Sequence, residues 1–433
     1  MSMKWIAFAI SAGAALMLQA DDGLPTKELL RQVPAKNFPG RVHLLPATLD
    51  TVQWGWFDNA QAPVLTVRSG DTVVMETMMH SHNQIVPGVT IEEIRQLRLD
   101  HPGRGPHSVT GPVFVEGAEP GDILKVHINR IVPRAYGANF NIPSMFGEFP
   151  DKFPDGQVRY FYLDIKRMVT EFAPGIEVPL RPFPGTIGVA RAESGKYSTV
   201  PPGRFGGNMD IRELVAGTTL YVPVFVPGAL LWSGDSHAAQ GNGEVNLTAL
   251  ETAFKELSLT VEVLKGASLE WPRIETPTHW ITMGYDKDLN AAHEVLKSET
   301  IKFLAERRKI PPSRAQAVMH KTSDCRIAEV VNISKGVYCM NPKDMTVSAI
   351  PARPKKETLR YLVTWSEDAD LGRAMDEASM SMIELLQAKK GMSRLDAYSL
   401  ASMTMDCRLG DSSARIRRVH CLVPKSLWIA NKH

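Results

Sequence analysis

The sequence predicts a mainly β N-terminal part, sandwich- or jelly-roll-like, followed by a C-terminal α+β part containing a tandem helix–helix–hairpin duplication. Three observations predict it. Short apolar runs separated by turn residues occupy the chain from Val52 to about Leu264. Most of the 30 Pro and 32 Gly fall before residue 280, where they punctuate those runs. Beyond that point a block of sequence recurs at a fixed offset. At 433 residues the chain can hold two or three cores, since single domains rarely exceed about 250 residues. The expected division is residues 1–20, 21–266, 267–350 and 351–433.

Residues 1–20 read as a secretory signal. Lys4 supplies a positive charge, Trp5 to Leu18 is apolar, and Leu18-Gln19-Ala20 precedes Asp21-Asp22. The apolar stretch is about 14 residues, shorter than the roughly 20 that a membrane span needs, which disfavours a retained anchor. An exported, periplasmic protein with no membrane contact after signal removal is expected. Net charge is +2 with Lys and Arg scattered, so no nucleic-acid partner is expected.

The β-rich part begins with Val64–Val67 and Thr72–Met75 around the turn Ser69-Gly70-Asp71. Glu119-Pro120-Gly121-Asp122 suits a type II turn, with Pro and Gly at its central positions. Leu124, Val126 and Ile128 then alternate with polar residues, as do Leu257, Leu259, Val261 and Val263. That is the pattern of half-buried strands. Gly137 to Phe172, rich in aromatics, Pro and Gly, reads as a long excursion over the surface.

In the second part, Asp288, Asp324-Cys325-Arg326, Cys339 and Pro342-Lys343 recur 82 residues later as Asp370, Asp406-Cys407-Arg408, Cys421 and Pro424-Lys425. Leu296, Thr300, Phe303 and Leu304 mark one helix face, matched by Ala378, Met382, Leu385 and Leu386. Ser393 with Asp396 suggests a capping box before a second helix. The expectation is two units about a pseudo-twofold axis, their strands in one sheet. Four cysteines in an exported chain favour disulfides, most simply Cys325–Cys339 and Cys407–Cys421. A turn at Ile333–Gly336 would not set the first pair opposite each other, and a four-thiolate zinc site is the rival.

The densest polar segment follows an apolar strand: Gly234-Asp235-Ser236-His237-Ala238-Ala239-Gln240-Gly241-Asn242-Gly243-Glu244. Asp, His and Glu are ordinary zinc ligands, and three protein ligands plus water is the layout of a catalytic site. Isolated Asp-x-His pairs are nevertheless commonly turn caps.

This segment resembles the signature of the acetamidase/formamidase family. Other blocks resemble that family in the same order: Ser69-Gly70-Asp71-Thr72-Val73 with Glu76-Thr77, Thr110-Gly111-Pro112-Val113, and Glu116 to Asp122. Pro182 to Ala190 and Gly206-Gly207-Asn208-Met209-Asp210 complete the series. The resemblance covers roughly His43 to Gly266, and the helical units more loosely. It implies hydrolysis of a small amide, formamide or acetamide for example, to carboxylate and ammonia, assisted by a divalent metal with zinc the first choice. It implies Asp235, His237 and Glu76 as ligands. Glu244, His107 and Asn208 are the implied catalytic residues: Glu244 as base (or a further ligand), His107 completing the pocket, and Asn208 orienting the carbonyl oxygen. Asn208 could equally be a turn former, and Asp210 is similarly ambiguous. Asn242 departs from the family pattern, where Asp is frequent, and the second helical unit looks like an addition. A homo-oligomer is compatible with this reading.

The remaining polar residues take plainer expectations. His80 and His82 suit a surface loop, His101 is not separable from His107, and His127 belongs on an exposed strand face. Asp324-Cys325-Arg326 and its twin suit a structural Asp–Arg pair. No Ser or Cys nucleophile and no phosphate loop stands out. The alternatives are an exported small-molecule- or carbohydrate-binding protein on the same scaffold, and a hydrolase of another C–N bond such as a lactam.

Overall fold

The computed structural model describes residues 40–344, 353–410 and 416–429, so the expected signal at 1–20 lies outside the described residues. Alternating apolar positions build two large sheets. A twelve-stranded sheet runs in the order Val42–Leu45, Thr72–Met75, Phe254–Leu264, Ile123–Pro133, Thr219–Pro223, Arg273–Glu275 and His279–Asp286. It continues through Lys335–Pro342, Asp324–Glu329, Asp406–Leu409, Arg417–Pro424 and Tyr361–Asp368. An eleven-stranded sheet contains the strand Leu231–Ala239, which pairs with Phe183–Val189, Leu250–Thr252 and Ser108–Val115. Leu124, Val126 and Leu257 from the first sheet share one buried cluster with Val109, Ile187 and Trp232 from the second.

The expected local features lie where the alternation puts them, with two exceptions. Gly121 has φ 96° and Asp122 N–H closes the turn on the Glu119 carbonyl at 3.0 Å. The polar sides of the long strands, however, are largely covered. Thr260 is buried and bonds both Thr72 (2.8 Å) and Asn129 (2.9 Å), and His127 is half-buried against Thr219 (2.8 Å). Hydroxyl and amide groups satisfy one another there, so water is not needed.

The second exception is the aromatic-rich stretch. It contributes three strands, Tyr136–Asn141, Gln157–Asp164 and Val169–Ala173, to the second sheet. Phe149, Phe153, Phe161 and Phe172 are buried in the same cluster as Leu296, Met382 and Leu386 of the C-terminal helices. Burying a large aromatic outweighs leaving it on a surface loop, and the expected excursion becomes the floor on which the helices pack.

The C-terminal part comprises two units of the same element order. The first is His279–Asp286, helices Leu289–Arg308 and Pro312–Thr322, and the hairpin Asp324–Glu329/Lys335–Pro342. The second is Tyr361–Asp368, helices Leu371–Lys390 and Arg394–Thr404, and the hairpin Asp406–Leu409/Arg417–Pro424. Helix lengths are 20 and 11 residues in both. Asp288 and Asp370 cap the long helices by accepting from Ala291 and Arg373 N–H. Ser393 caps the last one, but Asp396 turns to Arg159 at 2.8 Å instead of completing a capping box. Each unit opens with a strand that the sequence pattern did not reveal. Their six strands are contiguous in the twelve-stranded sheet and meet where Arg326 pairs with Arg408, two residues 82 apart. The sheet also runs unbroken across residue 266.

Both hairpins carry a disulfide, Cys325–Cys339 and Cys407–Cys421, with Cα atoms 4.0 and 4.1 Å apart. The turn expected at Ile333–Gly336 lies earlier, at residues 330–334, so Val337 faces Ile327 and Cys339 faces Cys325 directly. With all four thiols oxidised, the zinc-thiolate alternative is excluded.

A buried charge network ties this sheet junction to the first part. Arg326 reaches Asp324 at 2.7 Å and Glu213 at 3.1 Å, while Arg212 reaches Asp406 at 2.9 Å. All are buried. Removing one partner leaves charges stranded in a dry interior, at a cost of about 3–5 kcal/mol. Arg326→Met is therefore expected to lower unfolding stability by that order in denaturant titrations under non-reducing conditions. A loss under about 1 kcal/mol, the scale of exposed pairs, would show that the network carries no such weight.

Candidate active site

The strand Leu231–Ala239 is the site's backbone. Asp235 takes a left-handed φ of 48° within this strand, and its Oδ1 lies 3.4 Å from His237 Nε2, so the two side chains project together. Glu251 on Leu250–Thr252 stands opposite His237 in the antiparallel register, which puts its side chain on the same face. Two imidazoles arrive from elsewhere. His80 begins a one-turn helix after Thr72–Met75, and His107 immediately precedes Ser108–Val115. Ser108 locks the two together: its hydroxyl donates to the Met79 carbonyl and accepts from His82 N–H, both at 2.8 Å.

The resulting cluster is tight. His80 Nε2 lies 2.7 Å from Asp235 Oδ1 and 3.2 Å from Glu251 Oε2. His237 Nε2 lies 3.4 Å from the same Asp235 oxygen and 3.3 Å from the same Glu251 oxygen. His107 Nε2 is 3.7 Å from Asp235 Oδ2, and its Nδ1 is held by Thr199 at 3.0 Å. Asp210 and Glu244 approach His237 at 3.8 and 4.0 Å. Every one of these side chains is buried. Asp210, Asp235 and Glu244 have φ between 48° and 52°, a left-handed conformation that non-glycine residues rarely adopt and that costs about 1–3 kcal/mol each when imposed by surroundings. Three strained acids in one cluster point to a functional centre.

Electrostatics sort the cluster into charged and neutral groups. Burial disfavours charge at each of them, so only mutual pairing sustains it. Against burial, Glu251 and Asp235 push His80 up to about 9, and they hold His237 well above the usual imidazole range. Burial likewise opposes ionised Asp235, but His107 and His237 keep it well below the usual carboxylate range. Glu251 is drawn down to about 2 by His237 and His80 despite its burial. Asp210 is pushed up to about 8 by burial and by Asp235 and Glu251, and Glu244 is raised well above its usual value by burial and Asp210. Burial drops His107 to about 4. Two carboxylates thus face two imidazoliums, with the rest neutral.

Of the residues expected here, Asp235, His237, Glu244 and His107 come together, and Asn208 lines the adjoining cavity beside Thr186 (2.7 Å), which in turn contacts Asp235 (3.1 Å). Glu76 does not join them. It is half-buried against Arg134 at 3.4 Å, because the next residue, Thr77, is the one that faces Leu231–Ala239, bonding Ser236 at 2.7 Å. His80, expected in a surface loop, is instead buried at the centre. His82 and His101 sit apart, against Trp54. Glu251 is the residue the sequence reading missed. Its one signal is an acid inside the apolar run Val245 to Phe254, a position that needs a buried partner. Asn242 bonds the Ile327 carbonyl and Tyr338 hydroxyl, which is a structural role.

The cavity beside the cluster has a volume near 70 Å³ and is walled by Ile85, Ile94, Phe140 and Ile142. These belong to a separate apolar cluster. Glu244, Glu251 and Asn332 complete its polar side.

The donor set fits a divalent ion. Ligands about 2.0–2.2 Å from a common zinc ion stand roughly 3–3.5 Å apart, which matches most of the spacings among His80, Asp235, His237 and Glu251. Glu251 Oε2 is buried between two imidazole nitrogens yet accepts a hydrogen bond from neither, and Asp210 Oδ1 is likewise without a partner. Gly185 leaves the space: a Cβ there would stand 2.4 Å from His237 Cε1 and 2.8 Å from both Asp210 Oδ1 and Asp235 Oδ2. A dication replacing two imidazolium protons would leave the buried charge unchanged. After equilibration with zinc and dialysis, Glu251→Gln and His80→Ala are expected to lose most bound metal by elemental analysis, while Glu76→Gln retains it. Retention by the first two and loss by the third would reverse the ligand assignment.

Comparison with known proteins gives the family. The model of the Acetamidase/Formamidase family matches residues 50–194 and 190–413. An acetamidase of Mycolicibacterium smegmatis is 26% identical over 261 residues, 46% of this chain and 63% of that protein. The matched region therefore spans somewhat less than two thirds of that relative's length. The crystal structure of an acetamidase from Bacillus halodurans superposes with a TM-score of 0.63 at 28% identity, covering 69% of this chain and 97% of the other. An acetamidase from Yersinia enterocolitica gives 0.65 at 25% identity, covering 74% and 97%. Matched by that family model over more than half of its length, this chain belongs to the acetamidase/formamidase family.

Proposed function

We propose that this protein hydrolyses the C–N bond of a small amide to carboxylate and ammonia in the cavity beside Asp235. The observation that carries the proposal is the buried cluster of carboxylates and imidazoles on a small, half-apolar cavity, in a chain of this family. A cavity near 70 Å³ is several times the space that one water needs, which suits a short linear amide.

An amide is a poor electrophile with a poor leaving group. A divalent ion, zinc by ligand type, would be held by Asp235, His80, His237 and Glu251, and would supply carbonyl polarisation and a water acidified towards neutrality. Glu244 lines the cavity and is held in its protonated form by burial and Asp210, so it gives its proton to the departing nitrogen and takes in exchange the one that the attacking water releases. Asn208 lies on the same wall and orients the amide. His107, held neutral and oriented by Thr199, positions the Asp235 carboxylate. Ile94, Phe140 and Ile142 keep bulk water from the reacting carbon.

Export belongs to the same proposal. Support comes from the signal-like pattern of residues 1–20 and from two disulfides, which persist in oxidising compartments. Among the described residues no helix is long and apolar enough to cross a membrane. Equal helix lengths and the Arg326–Arg408 contact support an internal duplication of the C-terminal unit, with the second copy able to internalise a contact otherwise made between subunits.

Purified protein is expected to release ammonia from formamide or acetamide, to lose that activity with a chelator, and to regain it with a divalent ion. Glu244→Gln should lower kcat by about 10²–10⁴-fold with an unchanged Tm. Activity indifferent to chelation would remove the metal from the account. Absence of ammonia from every short amide would leave a binding protein on this scaffold.

A further inference from the structure

The cavity beside Asp235 has a charged wall that the hydrolytic reading does not use. Arg98 lies on the helix Ile91–Asp100 and lines that cavity near Ile94 and Phe146. One guanidinium nitrogen, Nη2, donates to the Arg104 carbonyl at 2.6 Å. The other, Nη1, is shielded from solvent and has no hydrogen-bond partner. The guanidinium carbon stands 5.9 Å from the Phe146 ring.

No carboxylate among the described residues pairs with it. Of the three acids on its own helix, Glu93 accepts from Thr90 N–H at 2.7 Å, Asp100 accepts from Gln96 at 2.7 Å, and Glu92 is exposed. The nearby Arg104 lies over Trp54 at 3.9 Å and adds positive charge. A guanidinium withdrawn from water normally carries an anion in its planar fork. Arg98 lines the same cavity as Asp235, Glu244 and Glu251, together with Ile94, Phe140 and Ile142, so that cavity is the place for such an anion.

We propose that Arg98 selects amides whose far end carries a carboxylate, that is, short monoamides of dicarboxylic acids. This rests on the amidase reading of the site. Water cleaves the amide C–N bond, oxygen joins the carbonyl carbon, and the nitrogen leaves as ammonia with the transferred proton. The product is the dicarboxylate, its original carboxylate untouched. The apolar side chains of the cavity, Ile94, Phe140 and Ile142, take the methylenes.

The test compares kcat/KM for succinamate with that for its neutral analogue butyramide, in the wild-type chain and in Arg98→Met and Arg98→Lys. Wild type is expected to prefer succinamate by about tenfold or more, the effect of one charge-assisted contact. Arg98→Met should abolish the preference chiefly through KM, and Arg98→Lys should restore part of it. Equal turnover of the two amides by wild type, or equal loss on both in Arg98→Met, would overturn the proposal while leaving the amidase standing. Should neither amide be hydrolysed, the amidase reading fails and calorimetric binding of succinate decides the question of Arg98. Binding weakened about tenfold by Arg98→Met upholds anion selection, and no binding to wild type refutes it.

Discussion

Asp235 contacts His80 and His237 through one oxygen and approaches His107 with the other, so three imidazoles from three separate stretches of chain converge on one buried carboxylate. Such a charge is tolerable in a dry interior only when paired. Glu251 supplies the second anion, and His80 and His237 the compensating cations. The neutral state of Asp210 and Glu244 follows, since a third or fourth ionised acid would have no counter-charge within reach. Backbone strain at Asp210, Asp235 and Glu244 is sustained by the same close packing.

The C-terminal units serve this centre from behind. The loop carrying Glu244 is clamped between them: Gly241 N–H bonds the Ser402 carbonyl (2.8 Å), Asn242 N–H the Met405 carbonyl, and Gly243 N–H the Ala328 carbonyl (3.0 Å). At Gly241 a Cβ would stand 2.6 Å from Ala401 O and Met405 N, so glycine is what permits the close approach. Tyr398 adds a hydroxyl bond to the Val245 carbonyl at 2.6 Å. The disulfides and the Arg326 network brace the sheet junction next to that clamp. Loss of stability there would therefore reach Glu244 without touching it.

How much of this was legible in the sequence depends on the distance over which each feature is decided. Asp235 and His237 are two residues apart, so their convergence was legible from proximity, although the segment read as a Gly-rich loop is the end of the strand Leu231–Ala239, with Asp235 at φ 48°. The alternating runs and the 82-residue repeat likewise placed strands and long helices correctly. Glu251 became a neighbour only through strand register, and His80 only through a turn in which Ser81, His82 and Asn83 all take positive φ. No local pattern encodes either. Glu76 failed for the converse reason: family likeness suggested the position, but the backbone at that point turns Thr77 inward. The hairpin turn expected at Ile333–Gly336 lies at residues 330–334, a shift of a few residues that sets the whole register.

We propose that a metal ion sits at the meeting point of Asp235, Glu251, His80 and His237. Anomalous diffraction at the zinc edge from crystals of the zinc-loaded protein tests this most directly. It should give a single strong peak about 2.0–2.2 Å from donor atoms of those four residues. A map without a peak there, with the four side chains still paired to one another, would mean that the cluster is held together by its own charges and that the chemistry proceeds without the ion.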